Sequence, residues 1–573
     1  MSIHSMASTE FNHYPENGNS HEKLWNFRIR LGFWLFGLGC AIILSYTTRH
    51  FINGDAIAYM DMAEAFRKGF WQESVLLGYS PGYSFLLAML ETVLLSNPDR
   101  ELFLAKFLNL IIFTGAMAAC ELFVSKLVDE SRFDHPKKPL PSHLLRAMCF
   151  SFFLVASLIW IRVQIIAPDM LVLIFVLLSV VTVLNIKRDH RGYSNFLVLG
   201  LTSGLGYISK TFFFPFSLFL IVLSGLYCNS LKRAFPRLLT TVAVMLIVSA
   251  PIIISQSLEV GRLSIGEVGS YNYSFYVAGQ GTSIHNPKVI FHNPEVLYYE
   301  HGKLSTYPHG DPAYWALGIT PKFDLEAQFR AIKVSLSQLI TSISWPVTVA
   351  LIWFVTQFRI ASLAPFQLMP PSTFMMMLLV CLVGTTTYCI VSMELRYVAA
   401  FLFLGFVALV EAPRYNKSDL DRRWSITLQA TTIVAIFLGM VTIFVVDQSV
   451  RSLYNSGNKV SHHETFLEMR AIKDTLKANG VRNGDKVAVF SPINYKLYWA
   501  KMAGVRVMAE ITGVDSFLHG SPEQRSKMLN VLKIKGFKAV VVKQPQFFGL
   551  SREGWIKIPK ARGFYVNFVD KPK

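Results

Sequence analysis

Long apolar stretches separated by short polar segments fill the first 446 residues of the chain. An apolar stretch of roughly 18 or more residues can cross a bilayer as a helix, so this pattern predicts a polytopic helical membrane protein. The predicted spans number about eleven and cover residues 31–49, 101–127, 147–163, 169–186, 196–210, 211–228, 238–255, 339–357, 372–392, 395–413 and 425–446.

One further apolar segment, residues 81–96, is predicted not to cross. It has sixteen residues and contains Glu91, whereas a span needs roughly 20 predominantly apolar residues. If it crossed, the basic loop at residues 126–146 would lie outside the cell. We therefore expect an interfacial helix within a first external loop at residues 50–100.

The pattern changes after residue 447, where short apolar runs alternate with amphipathic segments. Such alternation is typical of a small α/β domain, with strands near 486–490, 505–508 and 538–543 and helices near 464–478 and 522–535. No glycine-rich phosphate loop accompanies them, so we interpret the domain as a recognition or support module.

The chain thus divides into an N-terminal tail at residues 1–24, a transmembrane domain at 25–446 and an α/β domain at 447–573. A second, longer external loop is predicted at 256–338.

Composition supports a membrane location. Hydrophobic residues make up 52% of the chain, charged residues only 16%, and the mean hydropathy is +0.39. The net charge of +18 comes with basic residues in short loops between spans, which is the pattern of cytoplasmic loops and not of a nucleic-acid-binding surface. All six cysteines lie in apolar stretches, so no disulfide framework is indicated.

The loop charges also predict the orientation. Lys23, Arg28 and Arg30 precede the first span, which places the N-terminus in the cytoplasm. The external loops and the α/β domain are then extracytoplasmic, and a bacterial inner membrane is the expected location.

Two acidic residues at membrane boundaries are the candidate catalytic groups. Asp55 follows the first span and Asp169 opens the fourth, and both are predicted to lie on the outer face. Each could be an ordinary helix N-cap, but ionisable groups at such depth mark functional sites by default. Arg396 and Lys210 are predicted at the same level. Acids with cations at the outer leaflet indicate cleavage of a lipid-phosphate bond, although Lys210 alone could equally snorkel to the headgroups.

A set of short motifs in a fixed order resembles the GT-C superfamily of polytopic glycosyltransferases. The closest similarity is to the protein O-mannosyltransferase and aminoarabinose lipid A transferase type, which use polyprenyl-phosphate sugars. The motifs are Asp55 with Tyr59, then Tyr79-Ser-Pro81-Gly82-Tyr83, Ala167-Pro168-Asp169, Gly200 to Lys210, and Glu394-Leu-Arg396-Tyr397.

The resemblance implies a GT-C-like catalytic domain and roles for these residues. Asp55 would be the general base or would orient the acceptor, Asp169 would assist it or hold a metal, and Arg396 with Lys210 would bind the donor phosphate. The resemblance also implies substrate-binding residues, namely Tyr59, Tyr79, Tyr83, Glu394 and Tyr397. The acceptor would be a lipid, a glycan or a protein, and a divalent cation remains open as the cofactor.

Two other functions stay open. A transporter or flippase of lipid-linked saccharides would tend to show internal repeats and midplane charges, which the sequence lacks. An O-antigen ligase or polymerase would use a large late external loop, so the loop at 256–338 keeps that hypothesis open. The histidines of this loop have no strong metal-ligand spacing, and no ligand is assigned there.

Overall fold

The structure, a computed structural model, describes residues 20–95, 98–131, 139–228, 230–278, 288–308, 323–358, 362–363, 370–415, 423–455, 460–490 and 497–569. Each of the eleven predicted spans falls on a helix. These helices are α1 (Ser20–Thr47), α5 (Glu101–Ser131), α6 (Ser142–Leu154), α7 (Asp169–Arg188), α8 (Ser194–Ser209), α9 (Phe213–Gly225), α10 (Leu231–Val260), α12 (Leu325–Phe358), α13 (Thr373–Cys389), α14 (Leu395–Glu411) and α15 (Arg423–Leu453).

The count of eleven spans is not confirmed. Within the described residues, six helices are long and apolar enough to cross a membrane, or seven if the bent α12 is one span. Helix α9 has 13 residues, about 20 Å at 1.5 Å per residue, which is shorter than the roughly 30 Å hydrocarbon layer. A short helix can be tolerated where it packs inside a bundle, because its ends are then covered by protein.

The segment after α1 folds into short helices at one end of the bundle: α2 (Ala56–Arg67), α3 (Trp71–Ser74) and α4 (Gly82–Val93). Helix α4 corresponds to the apolar segment predicted not to cross, and its 12 residues are too few for a span. Its Glu91 is fully buried and pairs with Arg67 of α2 at 3.0 Å, which explains how an acid is accommodated in this apolar segment.

The α/β domain contains the three predicted strands, two further C-terminal strands that were not predicted, and two strands from residues 288–298. Its seven-stranded sheet has the order β1 (Lys288–His292), β2 (Glu295–Tyr298), β6 (Arg506–Ile511), β5 (Lys486–Phe490), β7 (Phe537–Lys543), β9 (Phe564–Phe568) and β8 (Trp555–Lys557). Strand β5 pairs in parallel with β6 and β7, and β2 adds antiparallel to β6. The sheet therefore joins residues 288–298 to the C-terminal strands in one folded unit.

The remaining described elements are α11 (Val268–Tyr276), the β3 (Ser362–Leu363) and β4 (Pro413–Arg414) pair, and the helices of the α/β domain: α16 (His462–Ala478), α17 (Tyr498–Ala503), α18 (Val514–His519) and α19 (Pro522–Ile534).

The two faces of the sheet pack against different hydrophobic cores. Along β5, Val487 and Val489 belong to the large core that continues into the helix bundle, whereas Ala488 and Phe490 belong to a separate aromatic cluster. This alternation follows from the two-residue period of a strand. The inner face thus attaches the domain to the membrane part through apolar packing.

Candidate functional site

Asp55 stands at the N-terminus of α2, but it does not behave as an ordinary cap. Within the described residues its side chain accepts no capping hydrogen bond from the first turn of α2. Its Oδ2 instead lies 3.3 Å from Nη2 of Arg396, 341 positions further along the chain. The side chain is 36% exposed, so one carboxylate edge is open to a substrate.

A side-chain clamp holds the loop of Asp55 against the loop of Asp169. Asn53 accepts a hydrogen bond from the backbone N–H of Ile166 at 2.9 Å and donates to the Ile166 carbonyl at 3.1 Å. These residues lie two positions before Asp55 and three before Asp169. The clamp therefore fixes the relative position of the two acids.

Side chains of helix α5 fix the loop before Asp169 through hydrogen bonds to its backbone. Asn109 donates to the carbonyls of Val163 and Ile165 at 2.8 and 2.9 Å, and the buried Lys106 donates to the carbonyl of Gln164. Backbone carbonyls that would otherwise be buried without donors are thereby satisfied. Sequence analysis did not single out Asn53, Asn109 or Lys106, since their partners are backbone atoms set by the fold.

Arg396 is the centre of the charged cluster. Its guanidinium lies 3.3 Å from Asp55, 3.6 Å from Asp169 and 2.6 Å from Glu394. Its Nη2 also donates to the hydroxyl of Tyr397 at 3.1 Å. The fork-shaped guanidinium can contact several acceptors in one plane, so it joins residues from three separate segments.

Lys210 completes the cluster from the other side of Asp169. Its Nζ lies 2.6 Å from Asp169 Oδ1 and 3.6 Å from the centre of the Tyr397 ring. The ring of Tyr388, which sequence analysis missed, lies 5.4 Å from the same ammonium and stacks on Tyr397 with centroids 5.3 Å apart. Cation–π contacts of this kind stabilise a charge withdrawn from water. Lys210 is therefore paired rather than snorkelling to headgroups.

The two acids differ sharply in access. Asp169 is only 4% exposed and is engaged by both Lys210 and Arg396, whereas Asp55 is 36% exposed. A cavity of about 460 Å³ opens in front of Asp55 and Arg396. It is lined by Asn53, Gly54, Asp55, Ile159, Trp160, Arg162, Ile165, Glu394, Leu395 and Arg396.

The predicted tyrosines divide into two groups. Tyr397 contacts both cations, and the half-buried Tyr79 packs edge-on against Tyr59 at 5.5 Å. Burial raises the pKa of Tyr59 well above its usual value, so it remains a neutral phenol. Tyr83, however, is fully buried, and its hydroxyl donates to Asn109 at 2.7 Å. In the structure Tyr83 braces α4 against α5 and does not line the cavity in front of Asp55, so its predicted role in substrate binding is not carried into the proposal.

Binding of a divalent cation, which the sequence leaves open, would need a set of ligating side chains. Within the described residues, no three His, Cys, Asp or Glu side chains form a metal-binding group. The carboxylates of Asp55, Asp169 and Glu394 converge on Arg396 instead. Of the loop residues considered for a metal, those at 279–287 and 309–322 lie outside the described residues.

Comparisons with known proteins identify the fold. No protein-family model and no curated protein sequence matches the chain. Among solved structures, ArnT from Cupriavidus metallidurans in the apo state is similar over 94% of this chain and 98% of its own, with 12% identity and a TM-score of 0.50. The oligosaccharyltransferase AglB from Archaeoglobus fulgidus, in complex with an inhibitory peptide and a dolichol-phosphate, is similar over 92% of this chain and 70% of its own, with 11% identity and a TM-score of 0.51. The chain therefore shares the fold of these two proteins, and the predicted architecture, a helical membrane bundle with a small C-terminal α/β region, is confirmed.

Proposed function

We propose that this chain is an integral membrane glycosyltransferase that moves a sugar from a polyprenyl-phosphate-linked donor to a lipid, glycan or protein acceptor. The observation that carries the proposal is the accessible carboxylate of Asp55, which faces a cavity beside the guanidinium of Arg396 at 3.3 Å. A proton acceptor next to a cation is what transfer from a phosphate leaving group requires. The dolichol-phosphate in the AglB complex supports a lipid-phosphate donor for a protein of this fold.

In the proposed reaction, Asp55 accepts the proton of the acceptor hydroxyl or amine as its oxygen or nitrogen attacks the anomeric carbon of the sugar. The bond between that carbon and the phosphate oxygen breaks, and the polyprenyl phosphate leaves with the electron pair. Arg396 remains protonated at all relevant pH values and stabilises the charge that develops on the leaving group. Attack opposite the leaving group inverts the anomeric configuration.

The buried acid has a different proposed task. Asp169 is shielded from solvent and bound by Lys210 and Arg396, so it positions these two cations and does not take up the proton. Both cations are then proposed to contact the donor phosphate from the side of the acids. Tyr59, Tyr79, Glu394 and Tyr397 surround this position and are proposed to contact substrate directly or through the cations.

The charges at the two ends of one helix support the proposed orientation. Asp169 opens the 20-residue helix α7, and Lys187 and Arg188 close it 18 and 19 positions later, about 28 Å away at 1.5 Å per residue. The site and this basic loop therefore lie at opposite ends of a span, and basic loops favour the cytoplasm. We propose that the N-terminus is cytoplasmic and that the site and residues 447–573 are extracytoplasmic, in a bacterial inner membrane.

A transfer assay in detergent tests the proposal against the transporter hypothesis. The purified protein is incubated with polyprenyl-phosphate donors carrying labelled hexoses or pentoses and with a panel of lipid, glycan and peptide acceptors. An enzyme yields a covalently glycosylated acceptor, because the reaction needs no second compartment. Protein that moves such a lipid across vesicles but yields no glycosylated product on any acceptor would contradict the proposal.

A further inference from the structure

Arg162 occupies an unusual backbone position at the edge of the candidate site. It follows a π-helical segment, Val155–Ile161, and its φ of 70° lies in the left-handed region that non-glycine residues rarely adopt. Its backbone N–H donates to the Ser157 carbonyl at 3.0 Å, which closes the wide turn. Both π-turns and strained residues concentrate at functional sites, and this one lines the cavity in front of Asp55.

Within the described residues, the guanidinium of Arg162 forms no ion pair. Its exposed side chain donates from Nε to the carbonyl of Ile159 at 3.3 Å and lies 5.8 Å from the ring of Phe444. Among the described residues, no carboxylate comes within ion-pair distance of it, whereas Arg396 across the same cavity contacts three. Most of the N–H donors of Arg162 therefore remain available to a ligand.

The charge balance of the cluster calls for such a cation. Arg396 and Lys210 face Asp55, Asp169 and Glu394, so these five groups carry one excess negative charge. A donor phosphate placed beside them would meet net repulsion. Arg162 supplies the positive charge that offsets this excess, at the cavity wall formed by Ile159, Trp160 and Leu395.

We propose that Arg162 binds the phosphate of the lipid-linked donor together with Arg396, an assignment that rests on the proposed function. A guanidinium beside an apolar wall matches a phosphate attached to an isoprenoid chain, since the phosphate needs bidentate donors and the first isoprene units need apolar contact. The phosphate gains negative charge as the sugar leaves, so the same contact strengthens during transfer.

Binding of undecaprenyl phosphate without a sugar tests this role directly. Arg162→Gln should weaken its affinity about 10- to 100-fold, the loss expected for one charge-assisted contact. Arg162→Lys should fall between Gln and wild type, because a point charge replaces the fork. Arg451→Gln is the matched control: it removes an arginine near the same end of the bundle, paired with Asp447 and outside the cavity, and should bind as wild type.

Two further lipids identify what Arg162 recognises. Undecaprenol, which lacks the phosphate, should bind wild type and Arg162→Gln equally. Phosphatidylglycerol should be a weak ligand whose binding does not depend on residue 162. If Arg162→Gln weakens undecaprenol binding as much as undecaprenyl phosphate binding, Arg162 has a packing role and the assignment is overturned. If phosphatidylglycerol binding depends on residue 162 to the same extent, Arg162 contacts lipid headgroups in general and the assignment is likewise overturned.

The outcome for the proposed function is separate. If wild type binds undecaprenyl phosphate and transfers sugar while Arg162→Gln binds it unchanged, the assignment of Arg162 fails and the proposed function stands. If wild type neither binds undecaprenyl phosphate nor transfers sugar, both fail.

Discussion

The carboxylate of Asp169 lies 2.6 Å from the ammonium of Lys210, with only 4% of the acid and 20% of the lysine side chain exposed. Asp169 opens helix α7 and Lys210 directly follows α8, so the pair ties together the ends of two packed helices. An acid engaged in this way is poorly placed to exchange protons with a substrate. Asp169 is therefore assigned the role of positioning Lys210, whereas the proton transfer is assigned to Asp55.

Breaking this pair should lower stability in a way that depends on both partners. Asp169→Asn leaves the ammonium of Lys210 without its counter-charge, and Lys210→Gln leaves the carboxylate of Asp169 without the ammonium. Each variant should therefore melt at a lower temperature. In the double variant neither charge remains, and the loss should be smaller than the sum by about 1–3 kcal/mol. Thermal unfolding of the four proteins in one detergent measures this coupling, and strictly additive losses would show that the pair does not act as a unit.

A second buried lysine should hold the α/β domain on the first external loop. Lys501 lies 3.0 Å from Asp61, 2.7 Å from Glu64 and 3.3 Å from Glu101. Burial alone would raise the pKa of Glu64, but Lys501 lowers it to about 2. Lys501→Met should leave these acids without their cation and cost about 3–5 kcal/mol of docking energy.

Limited proteolysis measures this loss, because undocking should make the C-terminal domain easier for a protease to release. Lys527→Met is the matched control, since Lys527 is 68% exposed and, among the residues that the structure describes, pairs only with Glu523 four residues away. Equal cleavage rates for the Lys501 variant and wild type would contradict a docking role.

The same interface should weaken in acid. His50 stacks on Phe466 and its Nδ1 lies 2.9 Å from Nδ1 of His463. Burial, Arg49 and His463 lower the pKa of His50 from 6.5 to about 4. The unfolded protein therefore binds this proton more readily, so stability is present above pH 6.5 and falls as the pH drops from 6.5 towards 4. Melting curves over this range should show a smaller pH dependence for His50→Gln; an unchanged dependence would exclude His50 as its source.

Orientation can be measured with a membrane-impermeant thiol reagent on single introduced cysteines. A cysteine at Arg191, in the loop after α7, should be protected in intact cells, whereas cysteines at Asn272 and Lys527 should react. The native cysteines in the described residues are buried or half-buried, which keeps the background low. Labelling at position 191 from outside would reverse the proposed orientation.

The sequence predicts that Asp55, Asp169, Lys210 and Arg396 lie near one another because the apolar pattern places all four at the same membrane face. Strands β5, β6 and β7 were predictable from their short, regular apolar runs, whereas β8 and β9 were not predicted. Local pattern is thus sufficient where a feature depends on which membrane face a residue occupies.

Features that depend on distant partners were not predictable. The pairing of β2 with β6 joins segments more than 200 residues apart, and nothing in the loop sequence specifies its partner strand. Arg162 is unremarkable in sequence, since its role comes from the π-turn that precedes it. The burial of Tyr83 likewise depends on Asn109 of another helix, so its hydroxyl could not be assigned from its motif.

In the proposed reaction Asp55 accepts the acceptor proton, and Asp55→Asn isolates this role because the amide keeps the shape and loses the proton affinity. With a donor that wild type uses, transfer should fall roughly 100-fold or more. Binding of undecaprenyl phosphate should be unchanged or tighter, since a negative charge beside the phosphate is removed. Asp447→Asn, an acid paired with Arg451 outside the cavity, should transfer as wild type. Folded Asp55→Asn protein that transfers sugar at a near-normal rate would contradict the account.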